Sequence, residues 1–364
     1  MLVKLKDLIT IKNGADYKHL SSGNVPVIGT GGIMLYVNKA LYNKEAILLP
    51  RKGSLNNVMY INTPFWTVDT MFYAIPNCSK VDPKYLYYHL SLINFARYDI
   101  GSTIPSMTAS LYYSLVIDLP PIDMQKKISF VLSLIDNQID RNNTITKRLQ
   151  VLAQAIYRRW FLQFNYPNFN KNMLYSNELK TKIPDDWSVL TLGDLVVKIA
   201  LISNKNNKNT IDLSVMPSSN ISLGKLNSCD NFSTNLNKMF EGNILFGSIR
   251  PYLKKCGIAP CDGNVVGTIY QFKEVRQNSY NYALITMSQD FFFDYALKVS
   301  KGTRMPVVSC DDLLSYKMPY NKKIVDLYSK LPIKRLIVAV NKETNKLSAL
   351  KEELIPLLIN GQLV

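Results

Sequence analysis

Arg51 and Lys52 directly follow an apolar run, Ala46-Ile47-Leu48-Leu49, and Asn56 and Asn57 stand a few residues further on. A guanidinium can bond bidentately to guanine and a primary amide to adenine, so these are residue types that read base edges. The same stretch also reads as a solvated hairpin tip. Later in the chain Arg250, Tyr252, Lys254 and Lys255 follow a second apolar run, Ile244-Leu245-Phe246. Two glycine turns add Ser102 and Thr103, and Thr303 and Arg304, whose hydroxyls and guanidinium suit phosphate oxygens. The competing reading makes these turns plain joints between a globule and the helix after it.

Composition supports a polyanionic partner. The 364 residues carry 43 basic and 27 acidic side chains, a formal charge of +16. The competing reading takes part of that excess as background, since Lys and Asn abundance can follow from an AT-rich genome, and Asn204-Lys205-Asn206-Asn207-Lys208-Asn209 reads either as a groove-seeking loop or as a composition-biased insertion. Arg158 and Arg159 suit the DNA backbone or a protein partner equally well.

Little in the chain suits catalysis. It has two histidines and five cysteines (Cys78, Cys229, Cys256, Cys261 and Cys310) with no metal-ligand spacing, which points to a reducing compartment and no metal site. Gly29-Thr30-Gly31-Gly32 is a lone glycine turn, and Asp118-Leu119-Pro120-Pro121 lacks the aromatic residue and the order of an adenine-methylating motif. No phosphate-binding Gly-x-x-x-x-Gly-Lys-Ser/Thr loop occurs. Without a signal-like start or a membrane-length apolar run, a soluble cytoplasmic protein is expected.

The chain also repeats itself. Gly101-Ser102-Thr103-Ile104-Pro105 precedes Leu111-Tyr112-Tyr113-Ser114, and Gly302-Thr303-Arg304-Met305-Pro306 precedes Leu313-Leu314-Ser315 at matching spacing. Leu5-Lys6-Asp7-Leu8 is echoed by Leu192-Gly193-Asp194-Leu195. Short strand-like runs at 25–28, 46–49, 57–61 and 67–75, then a helical stretch after Pro83, describe the first globule. A turn into a strand at Gly242–Phe246, a strand at 265–272 and a helical stretch at 282–297 describe the second.

Each globule leads into a long amphipathic stretch. The first seam runs Ile128, Leu132, Ile135, Ile139, Asn142, Thr146, Leu149, Ala153, Ile156, Trp160 at alternating steps of four and three, a heptad pattern. The second runs Ile333, Leu336, Val340, Glu343, Leu347, Leu350, Leu354, Leu357. The fold class expected is α+β. Two tandem domains of mixed strands and helices are joined by two long antiparallel helices, a coiled-coil-like spacer with pseudo-two-fold symmetry. The boundaries are 1–120 and 187–320 for the globules, 121–165 and 321–364 for the helices, and 166–186 for a polar linker. A helix over 123–160 would be about 57 Å long, more than one duplex turn of about 34 Å.

Several phrases identify a resemblance. Gly101-Ser102-Thr103-Ile104-Pro105-Ser106-Met107 with Leu119-Pro120-Pro121-Ile122-Asp123-Met124-Gln125 is one, and Leu152-Ala153-Gln154-Ala155-Ile156-Tyr157-Arg158-Arg159-Trp160-Phe161 is another. Ile183-Pro184-Asp185-Asp186-Trp187-Ser188-Val189 and Gly242-Asn243-Ile244-Leu245-Phe246 with Ile249-Arg250-Pro251-Tyr252-Leu253 complete the set. Together they resemble the specificity (S) subunit of type I restriction–modification systems, over the whole chain. The resemblance implies two target-recognition domains, each reading half of a bipartite asymmetric DNA target. It further implies a helical spacer that docks two methyltransferase subunits and, through them, restriction subunits. S-adenosylmethionine, ATP and Mg are then expected only in those partners, with no cofactor and no catalysis in this chain. The second repeat has Pro319-Tyr320-Asn321-Lys322-Lys323-Ile324 where the first has Pro-Pro-Ile-Asp-Met-Gln, so the two methyltransferase contacts need not be equivalent. A stand-alone DNA-modifying enzyme and a coiled-coil scaffold without sequence reading are the alternatives.

Overall fold

The computed structural model describes residues 1–99, 101, 104–167 and 172–363. The chain divides into two compact units, residues 1–137 with 348–364 and residues 138–347. Two long helices, Ile122–Tyr157 and Ile333–Ile359, each contribute a stretch to both units.

In the first unit a four-stranded antiparallel sheet has the order Ile9–Asn13, Met71–Pro76, Ala46–Pro50, Met59–Ile61. Every residue of Ala46–Pro50 is buried, which explains why that strand reads as an unbroken apolar run rather than an alternating one. A second sheet has the order Gly32–Val37, Ser22–Gly29, Trp66–Thr67, with its last pair parallel. Leu2–Lys4 pairs with Val116–Asp118 beside them.

The second unit repeats this plan. Its main sheet has the order Val196–Ile199, Ile269–Glu274, Ile244–Gly247, Cys256–Ile258, all antiparallel, with the inner strand Ile244–Gly247 again wholly buried. Its second sheet pairs Asn209–Ile211 parallel with Gly263–Val266 and adds Asn227–Ser228 and Leu236–Met239. Ser188–Thr191 pairs with Lys317–Tyr320, as Leu2–Lys4 does with Val116–Asp118.

Local chemistry sets the helix ends. Asp82 caps the helix Pro83–Ser91, its carboxylate accepting from the Tyr85 amide at 2.8 Å, with Pro83 at the first helical position. Asn321 caps Lys322–Ser329, accepting from the Lys323 and Ile324 amides at 3.0 and 3.4 Å. The segment expected as one distal helix over 321–364 is two, Lys322–Ser329 and Ile333–Ile359, because Pro332 has no amide to continue the ladder. The stretch expected as one helix over 282–297 also resolves into two, Tyr280–Met287 and Asp290–Val299. The expected linker 166–186 carries a hairpin, Met173–Ser176 with Thr181–Pro184, and buries Tyr166 and Ile183.

Within each unit the long helices pack antiparallel. In the first, Ile128 and Leu132 share a core with Ile355, and the Lys351 ammonium donates to Asp136 at 2.5 Å. In the second, the Gln138 amide reaches Glu343 at 3.5 Å, and Ala153 and Tyr157 share a core with Ile333 and Ile337. The helices are also built into the globules. Phe161, in the π turn Arg158–Leu162 that ends the first long helix, is fully buried against Tyr282 at 4.3 Å between ring centroids, with Tyr157, Tyr328 and Trp187 around it. Gln150 grips a loop, donating to the Ser219 carbonyl at 2.9 Å and accepting from the Ile221 amide at 3.0 Å.

Candidate nucleic-acid interface

Four loops of the first unit meet at one rim. The stretch after the buried strand Ala46–Pro50 is tied to the glycine turn. The Gly53 amide donates to the Pro105 carbonyl at 2.8 Å and the Met107 amide to the Arg51 carbonyl at 2.9 Å, with a bridge between Lys52 and Ser106. Asn56 donates to the Asn94 side chain at 3.1 Å and accepts from the Ala96 amide at 3.2 Å. Asn57 donates to the Thr30 carbonyl at 2.5 Å, joining the hairpin tip of the second sheet to the same rim. Arg51 is half-buried, its guanidinium 5.6 Å from the Phe72 ring centroid and 3.4 Å from the Asp69 carbonyl, whereas Lys52 is exposed. The two asparagine amides therefore organise the rim, and Arg51 and Lys52 supply its positive charge.

The glycine turn is built around Asp99, whose carboxylate accepts from the Gly101 and Ser106 amides, both at 2.8 Å. Those two hydrogen bonds hold its pKa below the usual carboxylate range. Only glycine fits at 101, since a Cβ there would lie 1.9 Å from the Ile104 carbonyl oxygen. Ser102 and Thr103 lie outside the described residues.

The second unit assembles the equivalent rim chiefly by backbone bonds, with the Tyr270 hydroxyl donating to the Val308 carbonyl at 3.1 Å. The Arg250 amide donates to the Pro306 carbonyl at 2.7 Å and the Val308 amide to Ser248 at 3.0 Å, with Val307 bridging both Ile249 and Lys301. Gly302 supplies the left-handed turn with φ +94°. Arg250, Tyr252, Thr303 and Arg304 are exposed on this rim. Lys254 and Lys255 are not free. The Lys254 ammonium pairs with Asp290 at 2.7 Å, and Lys255 donates to the Met216 carbonyl. The run 204–209 is woven into the second sheet: Asn207 donates to the Asp262 carbonyl at 2.8 Å, and the Asn264 amide reaches the Asn209 carbonyl at 3.1 Å.

Along the first long helix Ile128, Ile135 and Asn142 are buried, while Ile139, Leu149, Ile156 and Trp160 are half-buried. Along the second, Ile333 is buried and Val340, Leu347 and Leu354 are half-buried. Beyond Ile333, buried positions there include Ile337, Asn341 and Ile355, each one residue past the seam drawn from leucine spacing. Asn142 keeps one bond, accepting from Gln138 at 3.2 Å, and its amide nitrogen is buried without a partner. Residues missed by sequence reasoning are Ile33–Tyr36, Gln150 and Asp99. The glycine pair before Ile33 was the available signal for the first of these.

Among the described residues no cluster of His, Cys, Asp and Glu is placed to hold a metal ion, and no helix is long and apolar enough to cross a membrane. Residues 1–151 match the family model described as the type I restriction modification DNA specificity domain. The specificity subunit of the type I restriction enzyme MjaIX of Methanocaldococcus jannaschii is 24% identical over 375 residues, covering 98% of this chain and 86% of that one. The chain is thus similar to type I specificity subunits along nearly its whole length, with the matched domain confined to residues 1–151. The EcoDI specificity subunit of Escherichia coli is likewise 24% identical, over 87% of this chain and 75% of its own. A crystal structure of the S subunit of a type I system from M. genitalium has the same fold, with a TM-score of 0.57 at 15% identity over 98% of this chain and 95% of that one. The matched domain is described as one of DNA specificity, and these relatives are the specificity subunits of type I restriction enzymes.

Proposed function

We propose that this specificity subunit reads a bipartite, asymmetric DNA target, one half with each unit, and docks two methyltransferase subunits that carry out the chemistry. S-adenosylmethionine, ATP and Mg then belong to the methyltransferase and restriction subunits, and the assembly works in the cytoplasm. The carrying observation is the repeated strand order, with the stretch after the buried inner strand pinned in both units to a Gly-x-x-x-Pro turn. Duplicated scaffolds with unlike exposed side chains suit a target whose halves differ. In the first unit Arg51 and Lys52 face the duplex. In the second, Arg250, Tyr252, Thr303 and Arg304 do so, and Lys254 and Lys255 support the loop from within. The long helices set the gap between half-sites and present the methyltransferase surface.

A genome-wide map of methylated adenines in cells with and without this chain tests the reading. Expected is the loss of one split motif when the chain is removed. Methyl transfer by the purified chain alone, or methylation unchanged without it, would overturn the proposal.

A further inference from the structure

The hairpin Ser22–Gly29 with Gly32–Val37 exposes four consecutive apolar residues: Ile33 at 58%, Met34 at 55%, Leu35 at 36% and Tyr36 at 52%. Successive strand residues point to opposite faces, so four in a row leave both faces of this edge strand open. A single exposed leucine needs no explanation, but a continuous run at a projecting edge marks a contact surface. The tip projects, since a Cβ on Gly31 would meet nothing within 4 Å and Gly32 takes φ +105°. A register shift between Val27 and Ile28 adds a bulge that twists the ribbon.

Two observations say what meets this surface. The tip belongs to the rim already described, because Asn57 bonds to the Thr30 carbonyl and so links it to the stretch bearing Arg51 and Lys52. Between Asp16 and Glu45 the chain carries Lys18, Lys39 and Lys44 and no carboxylate. Apolar side chains on an uncharged ribbon whose flanks carry only cations fit a polyanion that also offers apolar groups. The duplex major groove does so: it admits a two-stranded ribbon and displays the thymine 5-methyl. We infer that Ile33 and Met34, at the hairpin tip, enter the major groove and read thymine methyls in the half-site of the first unit. The second unit has no counterpart, because its corresponding strand is the two-residue polar Asn227–Ser228.

The inference rests on the first unit being a DNA reader, and its test separates the two claims. The full chain selects its preferred duplex from a random pool, and its affinity is then measured with each thymine replaced singly by uracil, which removes only the methyl. Wild type is expected to lose about fourfold at one or more positions of one half-site, the value of one buried methyl group. Ile33→Ser with Met34→Ser should bind thymine and uracil duplexes alike while keeping the rest of its sequence preference. Leu35→Ser with Tyr36→Ser serves as a second variant further from the tip. Discrimination unchanged in both variants, or absent in wild type despite a clear preferred sequence, overturns the inference and leaves the proposed function standing. Failure to select any preferred duplex overturns both. Variants that alter only the sedimentation of the chain would make this strand a self-association edge, and the inference falls.

Discussion

The two units hold the same turn in place by different means. In the first, a carboxylate does it: Asp99 receives the Gly101 and Ser106 amides. In the second, Val307 bridges Lys301 through paired backbone bonds of 2.9 Å, with no titratable group in the set. Their cores differ as well. The first long helix enters the first unit through aliphatic residues, Ile128 and Leu132, and the second through an aromatic box around Phe161. A duplicated topology thus fixes where loops emerge and leaves the side chains that steady and equip them free to diverge.

The aromatic box offers the sharpest way to break that comparison. Phe161→Ala should cost about 3–5 kcal/mol of stability in the second unit, from lost burial and the cavity left behind. The half-site read by the first unit should survive, checked by denaturant titration and by competition binding to half-site duplexes. Loss of both half-sites together would mean that the units do not read independently. Arg51→Ala comes next, weakening discrimination at the half-site of the first unit by about 1–3 kcal/mol. Removing the two lysines of the second rim, Lys254→Ala with Lys255→Ala, should leave base discrimination intact and lower stability, since both side chains are engaged within the protein. An even loss over all sequences for Arg51→Ala would reassign it to phosphate.

A smaller effect is expected in the helix pair. Asn142→Leu should stabilise the chain by about 1 kcal/mol, because an amide nitrogen now buried without a partner is replaced by an apolar group. A destabilised variant would mean that its single bond to Gln138 outweighs that burial. The mildest prediction concerns pH. Asp99 titrates below the usual carboxylate range, so its contribution is complete above the ordinary carboxylate pKa and fades as pH falls through the depressed one. Amide exchange at Ser106 should therefore lose protection in acid, while exchange at Lys301 and Val307 should not respond. Equal responses in the two turns would erase the distinction.

Much of this organisation was legible in the residues. Buried inner strands announced themselves as unbroken apolar runs at 46–49 and 244–246, and the Gly-x-x-x-Pro echo marked the turns that pin the following loops. The first helical seam was readable because Ile128, Leu132, Ile135 and Ala153 are both apolar and buried. The second slipped by one residue because leucines occupy half-exposed positions while Asn341 and Lys351 sit inward, and composition does not reveal a polar residue turned toward a partner. Lys254 and Lys255 looked like surface charge because nothing local betrays Asp290 or the Met216 carbonyl, which are distant in sequence. Asp99 was overlooked because its role is to order backbone amides, a task that leaves no periodic signature.

Gln150 carries a consequence for lengthening the rod. Its amide clasps Ser219 and Ile221 from a fixed place on the helix, so residues added upstream, near Asn142, leave that clasp whole. Four added there, matched by four in the facing helix near Glu343 to keep the pair in register, advance the helices by about one turn and should alter only the number of base pairs between the half-sites. The same four placed after Gln150 would drag the clasp out of step with the aromatic anchor at Phe161. New spacings are therefore open to this protein on one side of a single glutamine and closed to it on the other.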